Sequence, residues 1–422
     1  MRIIFIHQNM PGQFKHLAPQ MAAAGHDVIF ITKRNDINLP GVRRITYNLG
    51  REAKTHGHAY IHQLDEQILY GQAVARVLTE LKSQGFVPDV ICAHSGWGEA
   101  LFTKEIFPDT PTQIFSEFFY RAVGSDINFE TKEDVSYDRM CRSRMRNTHM
   151  ALTCLDADAL IAPTVWQWQQ HPAMMRERMS VIHDGINTQK CAPNPSVTFD
   201  LPTGQTLSRD DEVITYMSRN LEPYRGFHHF MEIVGELQRR RPKAHILIIG
   251  GDEISYGSKP EDAANWRESM LAKHHVVPSR VHFLGRIPYD DYIKFLQISR
   301  VHVYLTYPFV LSWSSMEAMS VGCTIAASST PPVREVMQHD DNALLFDFHK
   351  PTEMLETVCR LLDDAALRNR LGKAARQTIV NNYDLNTICL PQQMAILDQL
   401  GRGELDSVPH VPTHMINVDA DA

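Results

Sequence analysis

Two arginines frame one loop in the second half of the chain, Ser218-Arg219-Asn220-Leu221-Glu222-Pro223-Tyr224-Arg225-Gly226. Arginine cannot lose its charge, and its planar fork matches phosphate oxygens. The natural partner of such a pair is a diphosphate, which gains further negative charge as it leaves. The alternative is two surface arginines on an ordinary loop. A second run, Tyr307 to Met319, puts Ser312 where it can cap a helix over 313–320, with Gly322 to end it. Free backbone N–H groups at that end would favour an anion. Glu317 lies inside the same helix, among apolar and small residues. A carboxylate there wants a partner. A ribose diol supplies two hydroxyl donors, and a nearby arginine such as Arg334 would serve instead.

The first half offers two more loops. His7-Gln8-Asn9-Met10-Pro11-Gly12-Gln13 follows the first apolar run. Gly12 lets backbone approach a ligand, and a helix starting near Gln13 would aim its N–H groups there; an ordinary turn explains the same glycine. His94-Ser95-Gly96-Trp97-Gly98 follows a later run, and its histidine can bond a sugar hydroxyl, move a proton, or simply be structural. No GxGxxG occurs, which removes the main support for a dinucleotide oxidoreductase.

Short apolar runs alternating with helix-period segments must position these loops. Ile3–Ile6, Val28–Ile31, Val90–Ala93, Gln113–Phe115 and Ala159–Ala162 read as buried strands, with helices over segments such as Phe14–Ala24 and Leu64–Lys82. Residues 188–210 are polar and proline-bearing and read as a linker and hinge. The alternation restarts with strands at Val213–Met217, Ile246–Ile249, Val281–Leu284, Val301–Leu305 and Thr324–Ala327, and helices at 226–240, 290–299, 313–320 and 352–381. The pattern predicts an α/β chain of two Rossmann-like, doubly wound domains facing a cleft, over 1–187 and 211–383. In such sheets ligands bind beyond the C-terminal strand ends, where all four loops fall. Residues 402–422 have few apolar side chains and read as a disordered tail.

With 422 residues, 43% apolar and 22% charged, the chain has an ordinary globular composition. A net charge of −7 gives no reason to expect nucleic acid. One basic cluster, Arg139, Arg142, Arg144 and Arg146, is either a solvated helix face or an attraction for an anionic acceptor or membrane surface. Seven scattered cysteines without a CxxC read as reduced thiols of a cytoplasmic protein. There is no signal-peptide pattern and no apolar run long enough to span a bilayer, so any membrane contact must be peripheral, at the inner face of the plasma membrane. The histidines form no HExxH, and no metal is expected.

Taken in order, the four loops resemble glycosyltransferase family 4, which has the GT-B fold. The likeness rests on HQNMPGQF at His7–Phe14, AHSGWGEALF at Ala93–Phe102, VIHDGI at Val181–Ile186, EPYRGF at Glu222–Phe227 and YPFVLSWS at Tyr307–Ser314, which together look like a bacterial subgroup. The resemblance implies retaining transfer from a nucleoside-diphosphate-sugar to a glycan or lipid-linked acceptor, with no required cofactor or metal, in surface-polysaccharide assembly. It assigns the diphosphate to Arg219 and Arg225, the latter one residue beyond the family's usual lysine. It assigns the ribose to Glu317 and the donor sugar to His94, and it places Gly12 where the glycine-rich loop approaches donor and acceptor. The first glutamate of the family's E-x7-E element falls on Phe309, so backbone groups of Val310, Leu311 and Ser312 are expected to carry more of the sugar contacts. Arg286 and Ile287 are expected to border the base, with Gly250 also on the donor side. Gln13, Glu117 and Arg121 are expected on the acceptor side, and a last helix over 384–401 should return to the N-terminal domain. Front-face substitution is the expected mechanism; a covalent route would use Glu117 or Asp126. A sugar-nucleotide epimerase, a glycan phosphorylase and a non-catalytic sugar-nucleotide-binding subunit are the competing readings.

Overall fold

The computed structural model describes residues 1–53, 57–404 and 411. They divide into two compact units, one of Met1–Gly185 with the chain from Asn386 onward, the other of Ile186–Leu385. The tail expected over 402–422 lies, beyond Glu404 and apart from position 411, outside the described residues.

In the first unit, β1 (Arg2–Ile6), β2 (Asp27–Thr32), β3 (Val42–Thr46), β4 (Val90–His94), β5 (Thr112–Phe115), β6 (Ala159–Ala162) and β7 (Met179–Val181) form one sheet, ordered β3-β2-β1-β4-β5-β6-β7. Every pairing is parallel. Parallel neighbours need long crossovers. Helices α1 (Leu17–Ala23), α2 (His62–Ser83), α3 (Thr103–Ile106), α4 (Tyr137–Arg146), α5 (Thr148–Asp156), α6 (Val165–Gln170) and α7 (Ala173–Arg176) lie in them. Strand residues such as Ile4, Ile29, Ile91 and Ile114 pack with Val74 and Leu78 of α2 in the core. The strand order runs outward in opposite directions from the β1–β4 pair, so the loops leaving β1 and β4 diverge and open a crevice.

The second unit opens with a two-stranded hairpin, β8 (Thr198–Asp200) and β9 (Thr206–Ser208). Its main sheet comprises β10 (Val213–Asn220), β11 (His245–Gly251), β12 (Val281–Gly285), β13 (Val301–Tyr304), β14 (Ile325–Ser328) and β15 (Leu344–Phe346), ordered β12-β11-β10-β13-β14-β15. These pairings are parallel too, and the divergence falls between β10 and β13. The helices are α8 (Phe227–Arg240), α9 (Trp266–Lys273), α10 (Tyr289–Ile298), α11 (Trp313–Ser320), α12 (Pro331–Val336), α13 (Pro351–Asp363) and α14 (Ala365–Asn382). The fold is therefore α/β with two Rossmann-like sheets, as the alternation predicted.

Three details differ from the sequence reading. The stretch at 188–210 is folded, because alternating apolar residues were hidden by its polar composition. Val197, Phe199, Leu201 and Leu207 are buried, and Phe199 packs edge-on to Phe295 of α10. Arg376 of α14 binds the carbonyls of Thr188, Cys191 and Ser320, fastening its start. The chain passes between units at Gly185–Ile186 and Leu385–Asn386. Next to these points Ile186 receives and gives backbone hydrogen bonds with Leu385 and Tyr383 at 2.9 and 2.8 Å. The helix expected over 352–381 is two, because Asp364 caps α14 by accepting the Leu367 N–H at 2.8 Å. The helix expected near Gln13 is a 3₁₀ turn, Gly12–Lys15, ahead of α1.

The last helix, α15 (Leu390–Arg402), belongs to the first unit and packs on α1 and β4. Gln393 donates to the His183 carbonyl at 2.9 Å, and a side chain at Gly401 would come within 2.2 Å of Met1 Sδ. All seven cysteines are unbridged, and only Cys141 is not buried. Among the described residues no helix is long and apolar enough to cross a membrane.

Candidate functional site

In the first unit the crevice residues form a hydrogen-bonded chain. His7 leaves β1 buried, and desolvation lowers its pKa to about 4, so the ring is neutral near pH 7. Its Nδ1 accepts the Asn9 N–H at 3.0 Å, which assigns the proton to Nε2. Nε2–H donates to Gln13 Oε1 at 2.8 Å, and Gln13 Nε2 donates to Glu117 Oε1 at 2.9 Å. Gly12 has φ +51°, and a Cβ there would lie 2.2 Å from His7 Nε2. Glycine is needed here for both conformation and space.

His94, at the end of β4, follows the same logic. Its Nδ1 accepts the Gly96 N–H at 2.9 Å, leaving Nε2 protonated. Burial, then neighbouring His7 and His149, push its pKa well below the ordinary histidine value. The Nε2–H lies 3.8 Å from Glu117 Oε2, beyond hydrogen-bond reach, and has no hydrogen-bond partner among the described residues. With the ring neutral this contact is not an ion pair. A buried donor in that state suits a ligand oxygen. The ring stacks on Trp97 and Phe115, at 4.6 and 5.6 Å between centroids. Arg121 is exposed on the loop after β5, and Asp126 is buried and accepts from Ser125 Oγ at 3.1 Å.

In the second unit the sheet diverges at the two arginine-bearing and serine-bearing loops. Arg225 ends a 3₁₀ turn, Pro223–Arg225, and is buried to 9% exposure. Its Nη1 donates to Thr306 Oγ1 at 2.6 Å, the Val310 carbonyl at 3.1 Å and Tyr304 Oη at 3.3 Å. All three acceptors are neutral and follow or end β13. Among the described residues no carboxylate pairs with this cation. Arg219 instead projects from β10 as an exposed side chain, without a hydrogen bond or ion pair to a described residue. The loop thus seats one arginine and leaves the other in solvent.

Ser312 precedes α11, whose span matches the expected 313–320, yet its hydroxyl does not cap. Tyr304 Oη takes it instead, accepting both the Ser312 N–H at 3.1 Å and its Oγ–H at 3.2 Å. Leu311 is buried beside it and Val310 half-buried. Glu317 does not meet Arg334, which donates to the Ser329 carbonyl. Its carboxylate accepts from Tyr289 Oη at 2.6 Å and Tyr292 Oη at 2.9 Å, both from α10. Phe309 is buried edge-on against Tyr224 and Tyr256, at 5.8 and 5.0 Å. Its position is an aromatic packing site. Arg286 reaches Asn220 Oδ1 at 3.1 Å and pairs with Glu253, while Ile287 beside it is half-buried. Gly250 lets the loop after β10 cross β11, since a Cβ there would sit 2.6 Å from Leu221 Cδ2.

Sequence reasoning missed several of these roles. Glu222, 1% exposed, accepts the backbone N–H groups of Ser255, Tyr256 and Gly257 and so shapes the loop after β11. Proline after it hinted at a turn, but nothing local marks its distant partners. Thr306 and Tyr304 were likewise unmarked. Tyr289 and Tyr292 could have been paired with Glu317 only by knowing that α10 and α11 are neighbours.

Comparison with known proteins gives both halves a class. Residues 24–191 match the family model Glycosyl transferase family 4 group, and residues 203–378 match Glycosyl transferases group 1. Together with the two parallel sheets, these matches give the chain the two domains of a GT-B glycosyltransferase. Its sequence is 26% identical over 201 residues to D-inositol 3-phosphate glycosyltransferase of Corynebacterium efficiens, a match covering 47% of this chain and 46% of that enzyme, so about half the length of each. Over 417 residues it is 22% identical to glycogen synthase of Mycobacterium tuberculosis, covering 94% and 92% of the two chains. Sucrose-phosphate synthase from Thermosynechococcus elongatus shares the fold at a TM-score of 0.70 and 17% identity, covering 96% of this chain and 100% of that one. Anabaena HepE in complex with UDP does so at 0.66 and 16%, covering 94% and 100%.

Proposed function

We propose that the chain is a retaining glycosyltransferase that moves a sugar from a nucleoside-diphosphate-sugar to a hydroxyl of a glycan or lipid-linked acceptor, in bacterial surface-polysaccharide assembly at the cytoplasmic side. The observation that carries this reading is Arg225: a buried guanidinium at the switch point of a parallel sheet, hydrogen-bonded only to neutral groups. A buried cation without a counter-charge calls for an anionic ligand. The leaving diphosphate is that anion, with Arg219 as its second contact. HepE, similar in fold, was solved with UDP and with UDP-glucose, which supports the choice of donor.

In this mechanism the acceptor oxygen bonds to the anomeric carbon on the face from which the nucleotide departs. The bond from that carbon to the phosphate oxygen breaks, and the acceptor's proton passes to the departing phosphate. Arg219 and Arg225 stabilise the charge that develops there. His94 Nε2–H, a neutral donor, orients the donor sugar, Glu317 holds the ribose, and Arg286 with Ile287 borders the base. Gln13 and Glu117 face the acceptor. No metal enters these steps.

The test is a thermal-shift screen with uridine, guanosine and adenosine diphosphates, followed by mass spectrometry of donor turnover and proton NMR of the product's anomeric centre. A diphosphate-dependent shift and a product keeping the donor's anomeric configuration are expected. An inverted product would refute retention, and donor conversion without any acceptor would favour an epimerase.

A further inference from the structure

Below the loop that follows β5, the first unit contains a pocket of about 450 Å³. Arg121 and Val123 of that loop, Ser143 and Arg144 of α4, Gln170 at the end of α6 and His171 after it contribute to its wall, and no carboxylate lines it. The guanidinium groups of Arg121 and Arg144 make no hydrogen bond or ion pair with any described residue. Two polar atoms of the wall, Ser143 Oγ and Gln170 Oε1, are buried without a partner. Gln170 Nε2 donates to the Trp166 carbonyl at 2.9 Å, so the amide oxygen is the unsatisfied end. The wall is also held in place. Asn147 pairs with both backbone groups of Tyr120 at 2.8 Å, and Arg146 stacks 3.6 Å from the Tyr120 ring centroid.

Arg121 and Arg144 are exposed, and two guanidiniums on a wall without a carboxylate favour an anion there, the serine hydroxyl can donate to it, and the buried amide oxygen needs a hydroxyl donor. We infer that this pocket binds a phosphorylated polyol, with the phosphate between Arg121 and Arg144 and a polyol hydroxyl on Gln170. The assignment of that compound as the acceptor, free or as a lipid headgroup, rests on the glycosyltransferase reading above.

Calorimetric titration of the full chain with sn-glycerol 3-phosphate, glycerol and inorganic phosphate tests it. Glycerol 3-phosphate should bind at least about tenfold more tightly than either fragment, and an Arg121→Ala/Arg144→Ala double variant should lose at least about tenfold of that affinity. Ser143→Ala should lose less. Equal affinity of the double variant and the parent, or no preference over glycerol, overturns the inference. Cosedimentation with phosphatidylglycerol vesicles, abolished in the double variant, assigns the headgroup as the source; binding of the soluble probe alone assigns the free compound. Uridine, guanosine and adenosine diphosphates titrated into the same samples separate the two proposals. If a diphosphate binds and the pocket fails, only the pocket is refuted. If the pocket binds and no diphosphate does, the donor reading falls.

Discussion

Replacing Arg225 with methionine should weaken nucleotide binding on the order of 100-fold while leaving the fold as stable as before, or more so. In the nucleotide-free protein three acceptors lean on Nη1. Two of them keep other partners: Thr306 Oγ1 donates to the Tyr307 carbonyl at 3.0 Å, and Tyr304 Oη still accepts from Ser312. Only the Val310 carbonyl is stripped, at roughly 1–3 kcal/mol. Against that stands relief of an uncompensated buried cation, whose desolvation costs several kcal/mol. The two terms cancel or favour the variant. Since about 1 kcal/mol moves Tm by about 2–4 °C in a domain of this size, Tm should hold or rise by a few degrees. Affinity should behave differently. A charge-assisted bond is worth roughly 1.5–3 kcal/mol, so losing a bidentate contact should weaken diphosphate binding on the order of 100-fold. Arg225→Lys, which keeps charge without the fork, should fall between. Scanning fluorimetry and calorimetry on the same samples give both quantities. A Tm lower by more than about 10 °C would make Arg225 a structural residue, and an unchanged diphosphate Kd would remove it from the site.

Two further outcomes are expected. Gly12→Ala drives a Cβ into the His7 ring and should break the His7–Gln13–Glu117 chain, lowering kcat on the order of 100-fold with little change in diphosphate affinity; Gly25→Ala, also at positive φ but with nothing within 4 Å, is the control, and equal kcat in the two variants would dismiss the chain. Stability should rise with pH between about 4 and 6.5: burial lowers His7, His16, His149, His171 and His183 to about 4 and His302 to about 3, and holds His94 well below the ordinary histidine value, so below 6.5 the unfolded chain binds protons that the fold refuses. Glu99, pushed up to about 7 by burial, opposes this over part of the range, as one group against these seven histidines. Urea midpoints that are flat or higher at pH 5 than at pH 7.5 would contradict the sign.

Both sheets were legible because strands such as Ile3–Ile6 are apolar on both faces and recur with helical spacers. Site loops were legible for the same reason, since the loops with chemistry had to follow those strands. Missing from the local pattern was anything set by distant neighbours. Arg219 and Arg225 look alike in sequence, yet strand alternation turns one outward while the 3₁₀ turn folds the other under β13. Glu317 signalled its need for a donor, but the tyrosines that answer it lie on another helix. The hairpin at 198–208 escaped notice because only its alternate residues are apolar.

The two sheets also differ in how they present hydrogen-bond donors, and that difference has a chemical sense. At the ends of the first sheet, His7, His94 and His183 each accept a backbone N–H two residues on, from Asn9, Gly96 and Gly185. Small or turn-forming residues are required there, since a Cβ at Gly96 would come within 2.9 Å of the His94 ring. Each bond fixes the tautomer, and burial removes the charge, so His94 offers the crevice a neutral Nε2 donor while that of His7 is held by Gln13. The second sheet offers a fixed cation instead. In glycosyl transfer positive charge builds on the sugar while negative charge builds on the phosphate. An imidazolium near the sugar would oppose the first, and a neutral donor near the phosphate would do little for the second. On the proposed function, the neutral donor that the Gly96 N–H fixes at His94 suits the sugar's charge, and the buried cation of Arg225 suits the phosphate's.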